Sequence, residues 1–116
     1  MNELVEECEK LNLMLRNSHE YKRYHKALSN LRRNSELYEE YIGFVQKNEE
    51  IQIVYQENAL EELQRLYSDY DEMLHNSVVN EFIRAERRFF ALLKEMLGAV
   101  ASGVDIVYHD DFVEGK

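Results

Sequence analysis

Residues 77–100 read SVVNEFIRAERRFFALLKEMLGAV and form the most apolar long stretch of this 116-residue chain. Apolar residues recur at helical spacing from Val78 to Val100, and only a narrow stripe that includes Asn80 and Arg84 is polar. A helix that is apolar over so much of its circumference is buried on more than one side. In a chain of this size, we expect the second buried side to be a subunit interface rather than a purely internal core.

The segments before this stretch also show helical periodicity, and capping residues separate them. Each boundary is marked by asparagine or serine, with glutamate in the following turn at several of them. The pairs are Asn17 with Glu20, Ser35 with Glu36, Asn58 with Glu61, and Asn76 with Ser77. The pattern predicts an all-α protein of about five helices.

A helical hairpin is predicted in the middle of the chain. Apolar residues there alternate in steps of three and four, which is typical of a helix packed nearly antiparallel on a neighbour. They are Leu60, Leu63, Tyr67, Tyr70 and Leu74. We therefore predict a long antiparallel helical hairpin, and the pattern leaves open whether residues 35–75 form one bent helix or two.

Composition limits the fold class and the location of the chain. There is no proline and there are only four glycines, too few turn-forming residues for a β-sandwich or a β-barrel. No apolar run reaches the roughly 20 residues that a membrane-spanning helix needs, and the N-terminus lacks the regions of a signal peptide. We predict a soluble, cytoplasmic protein with one helical domain, residues 1–103, and an extended acidic tail, residues 104–116.

The net charge of −9 is unevenly distributed. Residues 16–33 contain six bases and one acid, whereas residues 35–81 contain twelve acids and two bases. The favoured interpretation is that the basic helix pairs with the acidic hairpin, within or between subunits. The alternative is contact with single-stranded RNA, because bases bind phosphates and the nearby tyrosines could stack on unpaired bases. The candidate RNA-contact residues are Lys22, Arg23, Lys26, Arg32 and Arg33.

Motifs for catalysis or metal binding are incomplete in this sequence. The segment that begins with His19 has arginine where a zinc protease has its second histidine, and His75 lacks the second Glu-x-x-His copy of di-iron bundles. No phosphate loop, dinucleotide fingerprint or hydrolase elbow occurs. Cys8 is the only cysteine, and its place in an apolar helical series predicts a small buried side chain. We expect no enzymatic activity, no metal and no cofactor.

The C-terminal stretch resembles a family signature. Residues 76–86, Asn-Ser-Val-Val-Asn-Glu-Phe-Ile-Arg-Ala-Glu, continue with Phe89, Leu92-Leu93, Glu95 and Met96. This pattern is similar to the C-terminal signature of the YlbF/YmcA family of small helical bacterial proteins, which commonly has proline where Ser77 stands.

The resemblance implies a non-enzymatic regulator of competence, sporulation or biofilm formation. Members of this family work in complexes with sibling proteins and are linked to an endoribonuclease. Some bind iron–sulfur clusters through cysteines, which is not expected here because Cys8 stands alone.

We therefore predict an adaptor that binds other proteins through its C-terminal helix. The expected partners are further copies of the chain, in a dimer or tetramer, and sibling YlbF/YmcA-like proteins, with an endoribonuclease as a further partner. Apolar residues would form the centre of this interface, and arginines would line its rim. The candidate interface residues are Phe82, Ile83, Arg84, Arg87, Arg88, Phe89, Phe90, Leu93, Met96 and Leu97.

Overall fold

The computed structural model describes residues 2–54 and 57–105. Within these ranges the chain is all-α, as predicted. The helices are α1 (Glu3–Arg16), α2 (His19–Arg33), α3 (Ser35–Val54), α4 (Ala59–Asp69), α5 (Asp71–Leu74) and α6 (Ser77–Ala101). Of the predicted tail, Val104 and Asp105 are described and are not helical, and residues 106–116 lie outside the described residues.

Asparagine side chains cap helices where the backbone N–H groups of a first turn have no partner within the helix. Asn34 Oδ1 accepts a hydrogen bond from the Leu37 N–H at 3.1 Å, so the cap of α3 is Asn34 rather than the predicted Ser35. Asn76 Oδ1 accepts from the Val78 N–H at 2.8 Å, which confirms the predicted start of α6.

The start of α2 differs from the prediction. Ser18, rather than Asn17, is the N-cap, and its Oγ accepts from the Tyr21 N–H at 3.1 Å. Asn17 instead closes α1, since its Nδ2 donates to the Leu13 carbonyl oxygen at 2.9 Å. The backbone explains the difference, because Ser18 has the extended conformation that an N-cap requires and Asn17 does not.

The predicted hairpin contains three helices, because residues 35–75 form α3, α4 and α5. Three of the predicted residues, Leu63, Tyr70 and Leu74, are half-buried against the core. The most buried residues are others, since Leu66 and Met73 are 5% and 3% exposed, whereas the predicted Leu60 and Tyr67 are 70% and 49% exposed. Positions 63, 66, 70 and 73 also follow steps of three and four. Periodicity could not choose between the two series, because residues on both are apolar.

The centre of the fold is the packing of α2 on α6. Tyr24 stacks on Phe89 with 5.1 Å between ring centroids and also packs on Phe82 at 5.6 Å. Ala27 on α2 and Ala85 on α6 are 3% and 0% exposed. Small side chains at these positions leave room for the aromatic rings and for a close approach of the two backbones.

Helix α6 ends in a turn that contains a glycine. Ser102 follows the last helical residue, and Gly103 has a φ of 79°, the left-handed conformation that glycine adopts without a steric penalty. The Val104 N–H donates to the Ala101 carbonyl oxygen at 3.0 Å and closes the last turn. Gly103 therefore ends the helix.

Candidate interaction surfaces

Two of the residues predicted for the partner interface lie in the core of the chain itself. Phe82 and Phe89 are 4% and 8% exposed. Phe82 packs edge-on against Tyr41 at 5.6 Å between ring centroids, and Phe89 also contacts Tyr21 at 5.3 Å. Both rings therefore stabilise the fold of the single chain, and the accessible part of the predicted interface lies elsewhere on α6.

The second half of α6 presents an apolar surface, which we call the α6 strip. Phe90 is 53% exposed, Leu97 71% and Val100 66%, and Leu93 and Met96 are half-buried. Positions 90, 93, 97 and 100 are three or four residues apart and lie on one face of the helix. Val100 was not among the predicted interface residues, although this spacing places it there.

The predicted arginines at the rim of the interface, Arg84, Arg87 and Arg88, are all exposed. At about 100° per residue, Arg87 flanks the face of the α6 strip, whereas Arg84 and Arg88 lie on the other side of the helix. None of them forms an ion pair with a carboxylate in the described part of the chain. Their guanidinium groups can therefore bind carboxylates of a partner.

A half-open groove of about 870 Å³ lies between α2, α3 and α6. Tyr24, Tyr38 and Tyr41 line it, together with the predicted interface residue Ile83 and the half-buried Glu86. The groove was not predicted from the sequence, because tyrosines at helical spacing are also expected in helix packing. Residue spacing alone does not distinguish these two roles.

Burial controls the ionisation of the groups in this groove. It raises the pKa of Tyr41 to about 12, and the nearby Glu86 carboxylate adds to this effect by opposing a phenolate. Burial also raises the pKa of Glu86, and the Arg87 guanidinium opposes this shift only in part. The groove therefore disfavours negative charge on its own residues.

One base of the predicted RNA-contact segment is engaged within the chain. Arg23 donates from Nε and Nη2 to the two carboxylate oxygens of Glu81, at 2.7 and 2.8 Å. These hydrogen bonds lower the pKa of Glu81 and raise that of Arg23. The pair joins α2 to α6, so its main role is structural.

The other bases of this segment remain exposed. They are Lys22, Lys26, Arg32 and Arg33. The Arg32 guanidinium lies over the Tyr38 ring at 5.7 Å from its centroid. Within the described residues, the Arg23–Glu81 pair joins the basic segment to the last residue of the acidic range 35–81, and no ion pair joins the other four bases to α3, α4 or α5.

Helix α1 lies apart from the core. None of its residues is buried, and Leu4 and Met14 are 76% and 68% exposed. Cys8, predicted to be buried, is exposed as well. The physical reason is that α1 contacts mainly α2, which follows after a two-residue connection, so its apolar face is left uncovered in the described part of the chain.

Histidine and acidic residues do not converge on a metal site in the described residues. His75 Nδ1 lies 2.8 Å from the backbone oxygen of Asp71 and 3.3 Å from its Oδ1, within one helical turn.

None of the described helices is long and apolar enough to cross a membrane.

Comparison with protein-family models supplies what the geometry alone does not. The model described as control of competence regulator ComK, YlbF/YmcA matches residues 4–105. The chain belongs to the YlbF/YmcA family. No curated protein and no solved structure matches it. The family match confirms the resemblance seen in the C-terminal stretch and extends it over the whole helical part of this YlbF/YmcA-family chain.

The signature residues of this YlbF/YmcA-family member have identifiable structural roles. Asn76 caps α6, Glu81 binds Arg23, and Ala85 is fully buried in the packing of α2 on α6. Glu86 lines the groove. The first half of α6 is therefore used by the fold, and its second half remains available to a partner.

Proposed function

We propose that this chain is a non-enzymatic regulatory adaptor that controls competence or development in the bacterial cytoplasm through protein–protein contacts. In this proposal residues 1–103 act as one helical domain. Its partners are further copies of the chain, in a dimer or tetramer, and sibling YlbF/YmcA-like proteins. An endoribonuclease is a further partner, as the family resemblance implies. The single observation that carries the proposal is the α6 strip, an exposed apolar face on the second half of the helix.

The physical argument concerns the composition of this surface. Isolated apolar residues are common on protein surfaces, but several on one helix face are a feature of interaction sites. Phe90, 53% exposed, and Leu97, 71% exposed, can be buried by a partner without any change in the core. Aromatic residues and arginine are enriched among the residues that contribute most to binding.

The test is affinity capture of the tagged full chain from lysate of its own cells, with and without ribonuclease, followed by mass spectrometry. Leu97→Glu places a charge in the α6 strip, and the matched control Ala99→Glu places the same charge on the opposite side of the helix. Both positions are exposed, so neither change disturbs the core. Circular dichroism checks that both variants are folded.

We expect sibling proteins or an endoribonuclease to remain bound to the wild type and to Ala99→Glu after RNA is destroyed, and to be lost from Leu97→Glu. This result follows because a partner would have to desolvate the introduced carboxylate. If both variants retain the same partners, the α6 strip is not the binding surface. If ribonuclease removes every partner, adaptor action through protein contacts is refuted.

A second candidate function is RNA binding through α2. The observation that favours it is the set of exposed bases without an acidic partner in the described residues: Lys22, Lys26, Arg32 and Arg33. Such a surface binds phosphates, and Tyr21 and His25 lie beside it with 5.9 Å between their ring centroids. Aromatic rings of this kind can stack on unpaired bases.

The RNA test measures binding of a short single-stranded RNA at increasing salt. If α2 binds RNA, the logarithm of the affinity falls linearly with the logarithm of the salt concentration. Lys26→Gln then weakens binding, and the control Lys94→Gln, on α6, does not. A flat salt response, or equal effects of the two variants, would eliminate this candidate.

A further inference from the structure

The groove between α2, α3 and α6 combines an apolar lining with charged side chains. Its volume of about 870 Å³ lies within the range of ligand-binding sites. Several of its lining residues are aliphatic and half-buried, so a ligand that fills the groove removes their remaining apolar surface from water. They are Leu28, Ile42, Val45, Leu74 and Ile83.

The end of the groove near the start of α3 is basic. The Arg32 guanidinium lies over the Tyr38 ring, 5.7 Å from its centroid. Burial raises the pKa of Tyr24, and the charges of Glu86 and Arg32 act on it in opposite directions, so both side chains lie near this ring. Arg87 follows Glu86 on α6 and also lines the groove. Two exposed guanidinium groups are therefore available to acidic groups of a ligand.

The other end of the groove is acidic. Glu49 lines it and is eleven residues after Tyr38 on α3, about 16 Å along the helix axis. Phe44, in the second half of this span, packs on Tyr70 with 5.5 Å between ring centroids. The next residue, Asp71, therefore lines the half of the groove nearer to Glu49. These charges orient a ligand, because its acidic groups are attracted to the basic end and repelled from the acidic end.

The C-terminal segment of the chain, residues 106–116, has a composition that fits this groove. The family match ends at residue 105, so the segment lies outside it. An aromatic residue, two adjacent acids and two apolar residues occur within six positions, which span about 16 Å when extended. They are Tyr108, Asp110, Asp111, Phe112 and Val113. Glu114 and Lys116 follow, and their opposite charges cancel, so the segment brings no net charge to the acidic end.

The segment is long enough to reach the groove of its own chain. Helix α6 ends at Ala101, and Arg87 is fourteen residues earlier, about 21 Å along the helix axis. Asp110 is nine residues after Ala101, which allows a span of up to about 30 Å. Gly103, with a φ of 79°, breaks the helical path directly after α6 and lets the chain change direction.

From these observations we propose that residues 108–113 bind in the groove of their own chain. Asp110 and Asp111 pair with the two arginines at the basic end, and Phe112 covers the aliphatic lining. An extended acidic and aromatic peptide is thus the kind of ligand that the groove accepts, and a partner that uses the groove must displace this segment. The proposal concerns the groove and goes beyond the proposed function, which depends on the α6 strip.

The first experiment locates the segment by nuclear magnetic resonance in the full chain. Cys8→Ser removes the only cysteine, and Gly115→Cys carries a nitroxide spin label. We expect the label to broaden the amide signals of groove residues such as Ile42 and Val45, compared with the same sample after reduction of the nitroxide. A second sample mixes spin-labelled chain without isotope with isotope-enriched chain without label, and we expect no such broadening there.

The second experiment tests the charge pairing by limited digestion of the full chain with chymotrypsin, which cleaves after Tyr108 and Phe112. A bound segment is cleaved only when it is released from the groove. We expect Arg87→Glu to accelerate cleavage at these sites several-fold. The matched control Arg88→Glu, also exposed but outside the groove lining, should leave the rate unchanged.

A charge exchange completes this experiment. Asp110→Arg together with Asp111→Arg, added to the Arg87→Glu chain, should restore part of the protection, because opposite charges then face each other again. Circular dichroism verifies that each variant is folded.

The inference is supported by broadening of the groove signals within one chain together with the different effects of Arg87→Glu and Arg88→Glu. It is overturned if the groove signals stay sharp, or if both variants are cleaved at the same rate. Broadening in the mixed sample would show the segment in the groove of a second copy, which overturns binding within the same chain. Each of these results leaves the α6 strip untouched, so the capture experiment decides the proposed function separately.

Discussion

Phe82→Ala, with Phe90→Ala as its matched control, tests whether α6 is divided into a core half and a partner-facing half. Both changes remove a phenylalanine ring from the same helix. Phe82 is 4% exposed and packs on the rings of Tyr24 and Tyr41, at 5.6 Å in each case, whereas Phe90 is 53% exposed. The two losses of stability should therefore differ strongly.

The structure sets the magnitude of each loss. Removal of a buried phenylalanine ring costs about 3–5 kcal/mol of unfolding free energy, from lost burial together with the cavity that remains. Phe90 is about half covered and its space is open to water, so that Phe90→Ala should cost the single chain about 1 kcal/mol. The expected difference between the two variants is therefore about 2–4 kcal/mol.

The assay is urea unfolding followed by far-ultraviolet circular dichroism, at two protein concentrations that differ tenfold. A core defect lowers the midpoint equally at both concentrations, whereas a loss of association acts mainly at the higher one. We expect the first behaviour for Phe82→Ala and the second for Phe90→Ala. The division of α6 into a core half and a partner-facing half is refuted if the unfolding free energies of the two variants differ by less than about 1 kcal/mol at the lower concentration.

Three further predictions concern charge and capping. Hydrogen bonds to Arg23 lower the pKa of Glu81. The Glu81 carboxylate therefore stabilises the fold above the ordinary glutamate pKa, and this stabilisation is lost as the pH falls through the lowered pKa. Thermal unfolding across pH should show Glu81→Gln to be less stable than wild type at pH 7 and equally stable in acid. Burial raises the pKa of Glu86. The protonated Glu86 side chain therefore favours the folded state below the ordinary glutamate pKa, and this stabilisation is lost as the pH rises through the raised pKa of the folded chain. Glu86→Gln should therefore be more stable than wild type at neutral pH, and the same pH series would contradict this if the order were reversed. Asn76→Ala removes the cap of α6 and should cost about 1 kcal/mol, measured by urea unfolding, with Asn76→Asp retaining most of the stability.

Local features of the fold were predictable from the sequence because they depend on neighbouring residues. The all-α class and the cap at Asn76 each follow from side chains within one helical turn of the feature. At the start of α2 the prediction was wrong, because the N-cap is Ser18 and not Asn17. Both residues can cap, and only the backbone conformation distinguishes them.

Features that require a distant partner were predicted less well. Helical spacing predicted that Leu60 and Cys8 are buried, but both are exposed. Spacing identifies an apolar face without showing which element covers it. Likewise, the surplus of bases on α2 and of acids on the hairpin suggested pairing between them. In the described residues the basic segment does pair with the acidic range, through Arg23 and Glu81, but Glu81 lies on α6 rather than in the hairpin.

Sequence alone determined that the C-terminal helix is apolar around most of its circumference and that the chain resembles the YlbF/YmcA family. Only the tertiary structure decided how that circumference is used. Phe82 and Phe89 face α2 and the core, whereas Leu97 lies beyond the end of α2 and is exposed. The physical reason is that the burial of an apolar side chain on α6 depends on how far the neighbouring α2 extends along it. The N-terminal end of α2, which sets that limit, lies more than fifty residues away along the chain.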